Sequence, residues 1–239
     1  MISFLAKIDL YAGHLDSARQ RTQHGVNISA QSGISESAAH MLIDLARGEV
    51  LYGQGSAAQQ TLSQALQLSD SKEVKQRAAR VMILNGQERE AQKIINDLVH
   101  DHPADTFLNE LDAPLARAAS QLNLGQADAA LRTLDQTKPF EFGTIAALVP
   151  TYTRALAELR LRHPEDAAAE FGAILAHRGQ NPLSPIQVAS QLGLARAYAL
   201  QQDVAKSRSA YQAFLAEWKN ADPDLPILKQ AKAEFAKLR

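Results

Sequence analysis

The chain has 239 residues, with 25 Lys and Arg against 26 Asp and Glu for a net charge of −1, and 46% hydrophobic but only 5% aromatic residues. That balance disfavours nonspecific attraction to nucleic acid, and the lack of cysteine excludes disulfides, thiolate metal sites and a cysteine nucleophile without fixing the compartment. No run approaches the ~18 consecutive apolar residues of a membrane helix, and the opening Met1-Ile2-Ser3-Phe4-Leu5-Ala6-Lys7 lacks the long apolar core of a signal peptide.

The chain enters directly in a helical pattern, as expected of a clipped fragment or of an array whose first face is covered by something else. A first hairpin is predicted from about Met1 to Ser32, turning at Gly13-His14, with Gly25 and Gly33 bracketing a less regular stretch. The sequon Asn27-Ile28-Ser29 inside it is read as a chance match. A second hairpin spans about Ser35 to Leu68 and turns at Gly53-Gln54-Gly55-Ser56. The third spans about Ser71 to His102 with its turn at Asn85-Gly86-Gln87, and Pro103 stops it. Within it the strand-like run Val81-Met82-Ile83-Leu84 continues the helical phase and is read as buried helix.

The fourth hairpin covers roughly Leu111 to Gln136 around Leu124-Gly125-Gln126, and Thr137 to Gly143 is the least periodic connector. The fifth, about Ile145 to His177, turns at His163-Pro164, with Pro acceptable in a first helical turn. The segment Arg178 to Pro182 separates it from the sixth, about Pro185 to Trp218. After Ala221-Asp222-Pro223-Asp224, a last helix carries Leu225, Leu228, Ala231, Phe235 and Leu238 on one side. Lys229, Lys232, Glu234 and Lys237 lie away from that stripe, the pattern of a capping helix.

The sixth hairpin shows the logic most clearly. Leu194, Ala195 and Tyr198 share one helical face, Asp203 is placed to cap a second helix, and Ser207, Tyr211 and Phe214 share a face of that one. A small residue at position 207 lets two helices approach, and such a hairpin needs stacked neighbours to bury its apolar side. Aligning on that residue gives Ala18, Ala58, Ala91, Ala130, Ala167 and Ser207, separated by 40, 33, 39, 37 and 40 residues. Twelve residues before each sits another small one: Ala6, Ala46, Ala79, Ala118, Ala155 and Ala195. Gly13, Gly53, Gly86 and Gly125 fall five residues before the small position. Leu62, Ile95, Leu134, Phe171 and Tyr211 fall four after it, with Thr22 the exception.

These positions resemble diverged tetratricopeptide repeats over nearly the whole chain. Ala stands at 46, 79, 118, 155 and 195 where the repeat usually has Gly, and the first-helix Tyr survives only at Tyr198. The tail, Leu194-Ala195-Arg196-Ala197-Tyr198 through Tyr211, Trp218, Ala221-Asp222-Pro223-Asp224 and Pro226-Ile227-Leu228-Lys229, is similar to the C-terminal repeat regions of bacterial (acidobacterial-type) serine/threonine protein kinases and of winged-helix regulators with attached repeats. The resemblance implies an all-α, right-handed superhelical solenoid of about six hairpins, residues 1–222, with residues 223–239 as a C-terminal capping helix. It implies a non-catalytic scaffold or sensor module of a bacterial signalling protein. The alternative is the regulatory C-terminal region of a kinase or transcriptional regulator whose catalytic or DNA-binding domain is absent here. A helical-repeat enzyme is the less favoured reading.

Kinase chemistry needs a Gly-rich loop, a strand lysine, a catalytic Asp near His-Arg and a metal-binding Asp before Phe-Gly, and none is present. Gly53-Gln54-Gly55 lacks the lysine and preceding strand of a phosphate loop. Among metal candidates, His100-Asp101-His102 with Asp105 is read as a solvated helix end beside Pro103, and His163 and His177 as helix-terminal residues. No Ser, His and acid set has sequence support as a triad. No catalytic residue, metal site or cofactor is therefore expected. The residue after the first-helix small position is placed to face the concave groove. Lys7, Arg47, Arg80 and Arg196 occupy it in four repeats, with Ala119 and Leu156 in the others. Four cations in equivalent places would grip an acidic peptide or a C-terminal carboxylate. The alternative is surface charge paired with acids such as Asp44 and Glu49. The expected partner is a protein or peptide, with an acidic one as the candidate, and neither nucleic acid nor membrane. The expected location is cytoplasmic, or extracytoplasmic if the array is attached to a membrane kinase.

Overall fold

The computed structural model describes residues 1–238, and its α-helices succeed one another as antiparallel hairpins. The pairs are α1 (Ile2–Tyr11) with α2 (Leu15–Gln31), α3 (Ser35–Leu51) with α4 (Gly55–Leu68), and α5 (Lys72–Leu84) with α6 (Glu88–Asp101). They continue as α7 (Ala113–Asn123) with α8 (Ala127–Leu134), α9 (Val149–Leu161) with α10 (Pro164–Ala176), and α11 (Pro185–Leu200) with α12 (Val204–Glu217). A last helix, α13 (Pro226–Lys237), follows, and no strand occurs among the described residues. The fold is an all-α solenoid of helical hairpins.

The small residues let each pair cross. Ala18, Ala58, Ala91, Ala130, Ala167 and Ser207 are all 0% exposed, and their partners twelve residues earlier are no more than 5% exposed. At the sixth crossing the Ser207 hydroxyl donates to the Ala195 carbonyl at 3.0 Å, an approach that a longer side chain would prevent. The position four residues further on is buried in every hairpin, Thr22 included. Val81, Met82 and Ile83 are buried within α5, so the strand-like run is indeed core helix.

Every hairpin turns in the same way. The residue five before the crossing is left-handed: Gly13 (φ 76°), Gly53 (87°), Gly86 (74°) and Gly125 (75°), but Arg162 (58°) and Gln202 (62°) in the last two. The following N–H then donates back to a carbonyl five residues earlier in each case, from His14 to Asp9 at 2.8 Å through Asp203 to Tyr198 at 3.1 Å. This is the long bond of a Schellman ending, repeated as a module. Asp203 also caps α12 as its position suggested, its carboxylate accepting from the Lys206 N–H at 3.0 Å.

Two local expectations are corrected. The stretch from Gly25 to Gly33 is not irregular: α2 runs through Gly25 to Gln31, and only Gly33 (φ 70°) turns the chain. Gly25 serves a close approach instead, since a Cβ there would lie 2.8 Å from the Met41 side chain of α3. The connector into the fifth hairpin carries more structure than its lack of period suggested. It contains a 3₁₀ segment, Asp135–Phe140, and left-handed Ala147 and Leu148, so α9 begins only at Val149. A π-helical turn, Leu108–Asp112, likewise precedes α7.

The array also closes on itself. α11 packs against α3 and α1 as well as against α9 and α10, joining the sixth hairpin to the first two. Trp218, 1% exposed, donates from Nε1 to the Tyr11 carbonyl at 3.0 Å and meets Tyr52 edge to face at 4.8 Å. The Asp222 N–H donates to the Gly13 carbonyl at 2.9 Å, and its carboxylate accepts from the Asp16 N–H at 3.0 Å. Ile227 at the start of α13 donates to the Tyr52 carbonyl at 3.3 Å. Leu10, Leu15, Leu45 and Tyr52 therefore share one core with Val188, Phe214, Trp218, Leu225 and Leu228.

Candidate functional site

Closure converts the concave side of the array into a pocket of ≈ 570 Å³, within the size range of ligand sites. One wall comes from Lys7 on α1, Asp44 and Arg47 on α3, and Glu73, Gln76, Arg77 and Arg80 on α5. The other comes from connectors, with Phe107 and Ile145 beside Gln180 and Asn181. Lys72 and Asp105 complete the charged lining, giving five cations to three carboxylates.

Those charges are arranged in two tiers. Deeper lies Arg80, whose Nε and Nη2 donate to the two oxygens of Asp112 at 2.6 and 2.9 Å and whose Nη1 donates to the Ile145 carbonyl at 2.6 Å. Gln76 adds a bond to Asp112 at 3.0 Å. Asp112 is 1% exposed, so this forked pair ties α5 to the π-helical turn and is structural. Nearer the opening, Asp44 serves three cations: Arg77 at 2.9 Å, Lys7 at 3.1 Å and Arg47 at 3.7 Å. Burial pushes the Asp44 carboxyl up, but Arg47, Arg77 and Lys7 outweigh it and hold the group below its usual value.

Arg47 stands apart from the other four cations of the lining, each of which has a close carboxylate partner. It is 8% exposed, and its buried Nε has no hydrogen-bond partner among the described residues. Its separation from Asp44 is too long for a hydrogen bond. Burial lowers its pKa; Asp44 opposes that shift, and the Arg77 and Arg80 charges reinforce it. A forked donor that stays cationic is thus held at the pocket wall with unused capacity. The same pocket is lined by the apolar Phe107 and Ile145, 37% and 44% exposed.

Three of the four sequence candidates, Lys7, Arg47 and Arg80, therefore meet in one pocket. Arg196 does not join them. It donates to both oxygens of Glu234 on α13, at 2.9 and 3.0 Å, and borders a separate hollow with Tyr152 and Ile227. In the two intervening repeats Ala119 is buried and Leu156 half-buried. Of these cations Lys7 and Arg47 pair with Asp44, while Arg80 takes Asp112 and Arg196 takes Glu234; Glu49 takes Arg19 at 2.9 Å and the hydroxyl of Thr61 at 2.7 Å. The Arg80 partner, Asp112, carried no sequence signal because no helical spacing links residues 32 apart.

The histidines singled out from sequence lie elsewhere. His100 and His102 are exposed at the end of α6, and Asp105 accepts from the Leu108 N–H at 3.0 Å and pairs with Lys72. His163 begins α10 with its Nδ1 3.0 Å from Glu158, and His177 ends it, its ring stacked on Phe142 at 3.9 Å.

No family model matches the chain, and no curated protein matches it. Among solved structures, the crystal structure of the P58(IPK) TPR domain aligns with the whole of this chain and 80% of its own, at 12% identity and a TM-score of 0.40. The helical-repeat architecture rests on the hairpins themselves.

Proposed function

We propose that this chain is a non-catalytic interaction module that receives an acidic segment of a protein partner in its central pocket. The observation behind this reading is Arg47, a buried guanidinium whose Nε has no hydrogen-bond partner among the described residues, in a lining where cations outnumber carboxylates. A carboxylate matches a forked donor in shape and charge, and Phe107 with Ile145 offers an apolar seat to the residues flanking it. Closure shortens the groove, so a chain end or a single acidic turn suits it better than a long extended peptide. The kinase-like character of the tail supports a place in a signalling protein, beside a catalytic or DNA-binding domain. A neighbouring coding sequence for a kinase or winged-helix domain is the outcome expected of that setting, and unrelated neighbours would count against it.

The binding test uses a fluorescein-labelled, glutamate-rich peptide with a free C-terminus and the purified chain. Arg47→Met keeps the aliphatic stem and removes the fork, while Arg80 is left intact because its loss would strand Asp112. The charged hydrogen bonds at stake correspond to roughly a tenfold weakening. Lys7→Met is expected to weaken binding less, since Lys7 is half-exposed and contributes as a point charge. Equal affinity in wild type and Arg47→Met, with helicity unchanged, would remove the basis for this reading.

A further inference from the structure

A different cluster lies where the second and third hairpins meet. Glu36 and His40 stand four apart on the first turns of α3, so their side chains share a face. Glu73, in the first turn of α5, faces them across the hairpin interface. One ligand atom from each of the three lies within 4.8 Å of the other two.

Several features of this triad fit a metal and not a closed polar network. The His40 Nε2 atom is buried and has no hydrogen-bond partner among the described residues, although it lies 4.0 Å from Glu36 Oε1. That gap is too long for a hydrogen bond. Two ligands of one tetrahedral zinc-type ion stand ~3.4 Å apart, a spacing the exposed Glu side chains reach by small rotations. Glu73 makes no ion pair and no side-chain hydrogen bond among the described residues, because its cationic neighbours are engaged elsewhere. Arg77 is held by Asp44 at 2.9 Å, and Lys72 by Asp105. Two carboxylates are thus brought together around a buried ring nitrogen.

The surroundings already orient the set. The Ser71 hydroxyl donates to Glu36 Oε1 at 2.8 Å while capping α5 through the Val74 N–H, an outer contact of the kind that fixes ligating carboxylates. The other comparable group among the described residues, Glu158, His163 and Asp166, is unlike it. There the His163 Nδ1 is already bonded to Glu158 at 3.0 Å and the ring is exposed.

We propose that Glu36, His40 and Glu73 form a divalent metal site of zinc type, completed by water, that fastens the second hairpin to the third. The proposal is separable from the acid-binding reading: it needs neither Arg47 nor a partner, and of its three ligands only Glu73 also lines the pocket. It is tested by titrating tag-free protein with Zn²⁺ in a calorimeter and with Co²⁺ in the visible range. Wild type is expected to take up about one Zn²⁺ per chain and to give the intense absorption of low-coordinate Co²⁺. His40→Gln and Glu73→Gln should each weaken Zn²⁺ binding by roughly tenfold or more, and His163→Gln should leave it unchanged. Should His40→Gln fail to fold, the exposed Glu73→Gln decides the matter alone. Absence of saturable Zn²⁺ binding, or binding unaltered in Glu73→Gln, would overturn the proposal.

Discussion

At the scale of single residues, the repeat demands a left-handed turn six times and meets it with glycine only four times. Arg162 and Gln202 hold the same conformation at φ 58° and 62°, where an L side chain costs about 1 kcal/mol relative to glycine. Gln202→Gly is therefore expected to raise stability by roughly 0.5 kcal/mol, the relief of strain being partly offset by the entropy of a more flexible unfolded chain. A urea midpoint that falls on substitution would contradict this. Asp44 offers a second residue-level test. With its carboxyl held below the ordinary value, its contribution is complete above about pH 4 and is lost as pH falls through the lower folded value. Asp44→Asn should destabilise the protein by about 3 kcal/mol at pH 7, since Arg47 remains buried without the counter-charge of Asp44. The difference from wild type should shrink below about pH 4, which parallel melting curves across pH would reveal. The crossing alanines were legible in the sequence because their spacing repeats. The Asp44 cluster was legible only in part: Lys7 and Arg47 follow the repeat phase, but Arg77 does not.

At the scale of elements, the hairpins were readable and their connectors were not, for a physical reason. A helix pressed between neighbours prints its contacts on the sequence at fixed intervals. The segments before α7 and α9 are instead shaped by single distant contacts. Arg154, 5% exposed, reaches the Glu141 carboxylate at 2.6 Å and the Leu134 carbonyl at 3.0 Å, pinning the aperiodic connector against α9. Arg80 does the same for the π-helical turn through Asp112. Arg80→Ala leaves Asp112 buried without its cation, and the expected loss is about 3–5 kcal/mol, measured as a fall in the urea midpoint. The cost should greatly exceed that of Arg117→Ala, an exposed residue with no ion pair among the described residues. Similar small losses in both variants would mean that the forked pair does not hold the turn.

At the scale of the whole molecule, the consequence of closure is cooperativity. An open solenoid melts as a sum of neighbouring interfaces, and its ends fray first. Here the first and last hairpins share a core, so neither end is free. The tail gave no hint of this, because apolar residues on α13 read equally well as a cap over α12. What directs them onto the opposite end is the fit at Gly13 and Gly53. A Cβ on Gly13 would lie 2.5 Å from Ala221, and one on Gly53 2.8 Å from Pro226. The chain's single tryptophan, Trp218, sits in that seam and reports on it directly. In the full chain its fluorescence and the far-UV circular dichroism should trace one coincident urea transition. Removing residues 223–239 takes away Leu225, Ile227, Leu228 and Ala231 from the shared core. The tryptophan transition should then move to lower urea and separate from the loss of helix, as the ends part before the middle unfolds. Early loss of the tryptophan signal in the full chain would show that the seam is weaker than the hairpins it joins. The array would then behave as an open solenoid, and its pocket would lose the fixed wall that Gln180 and Asn181 supply.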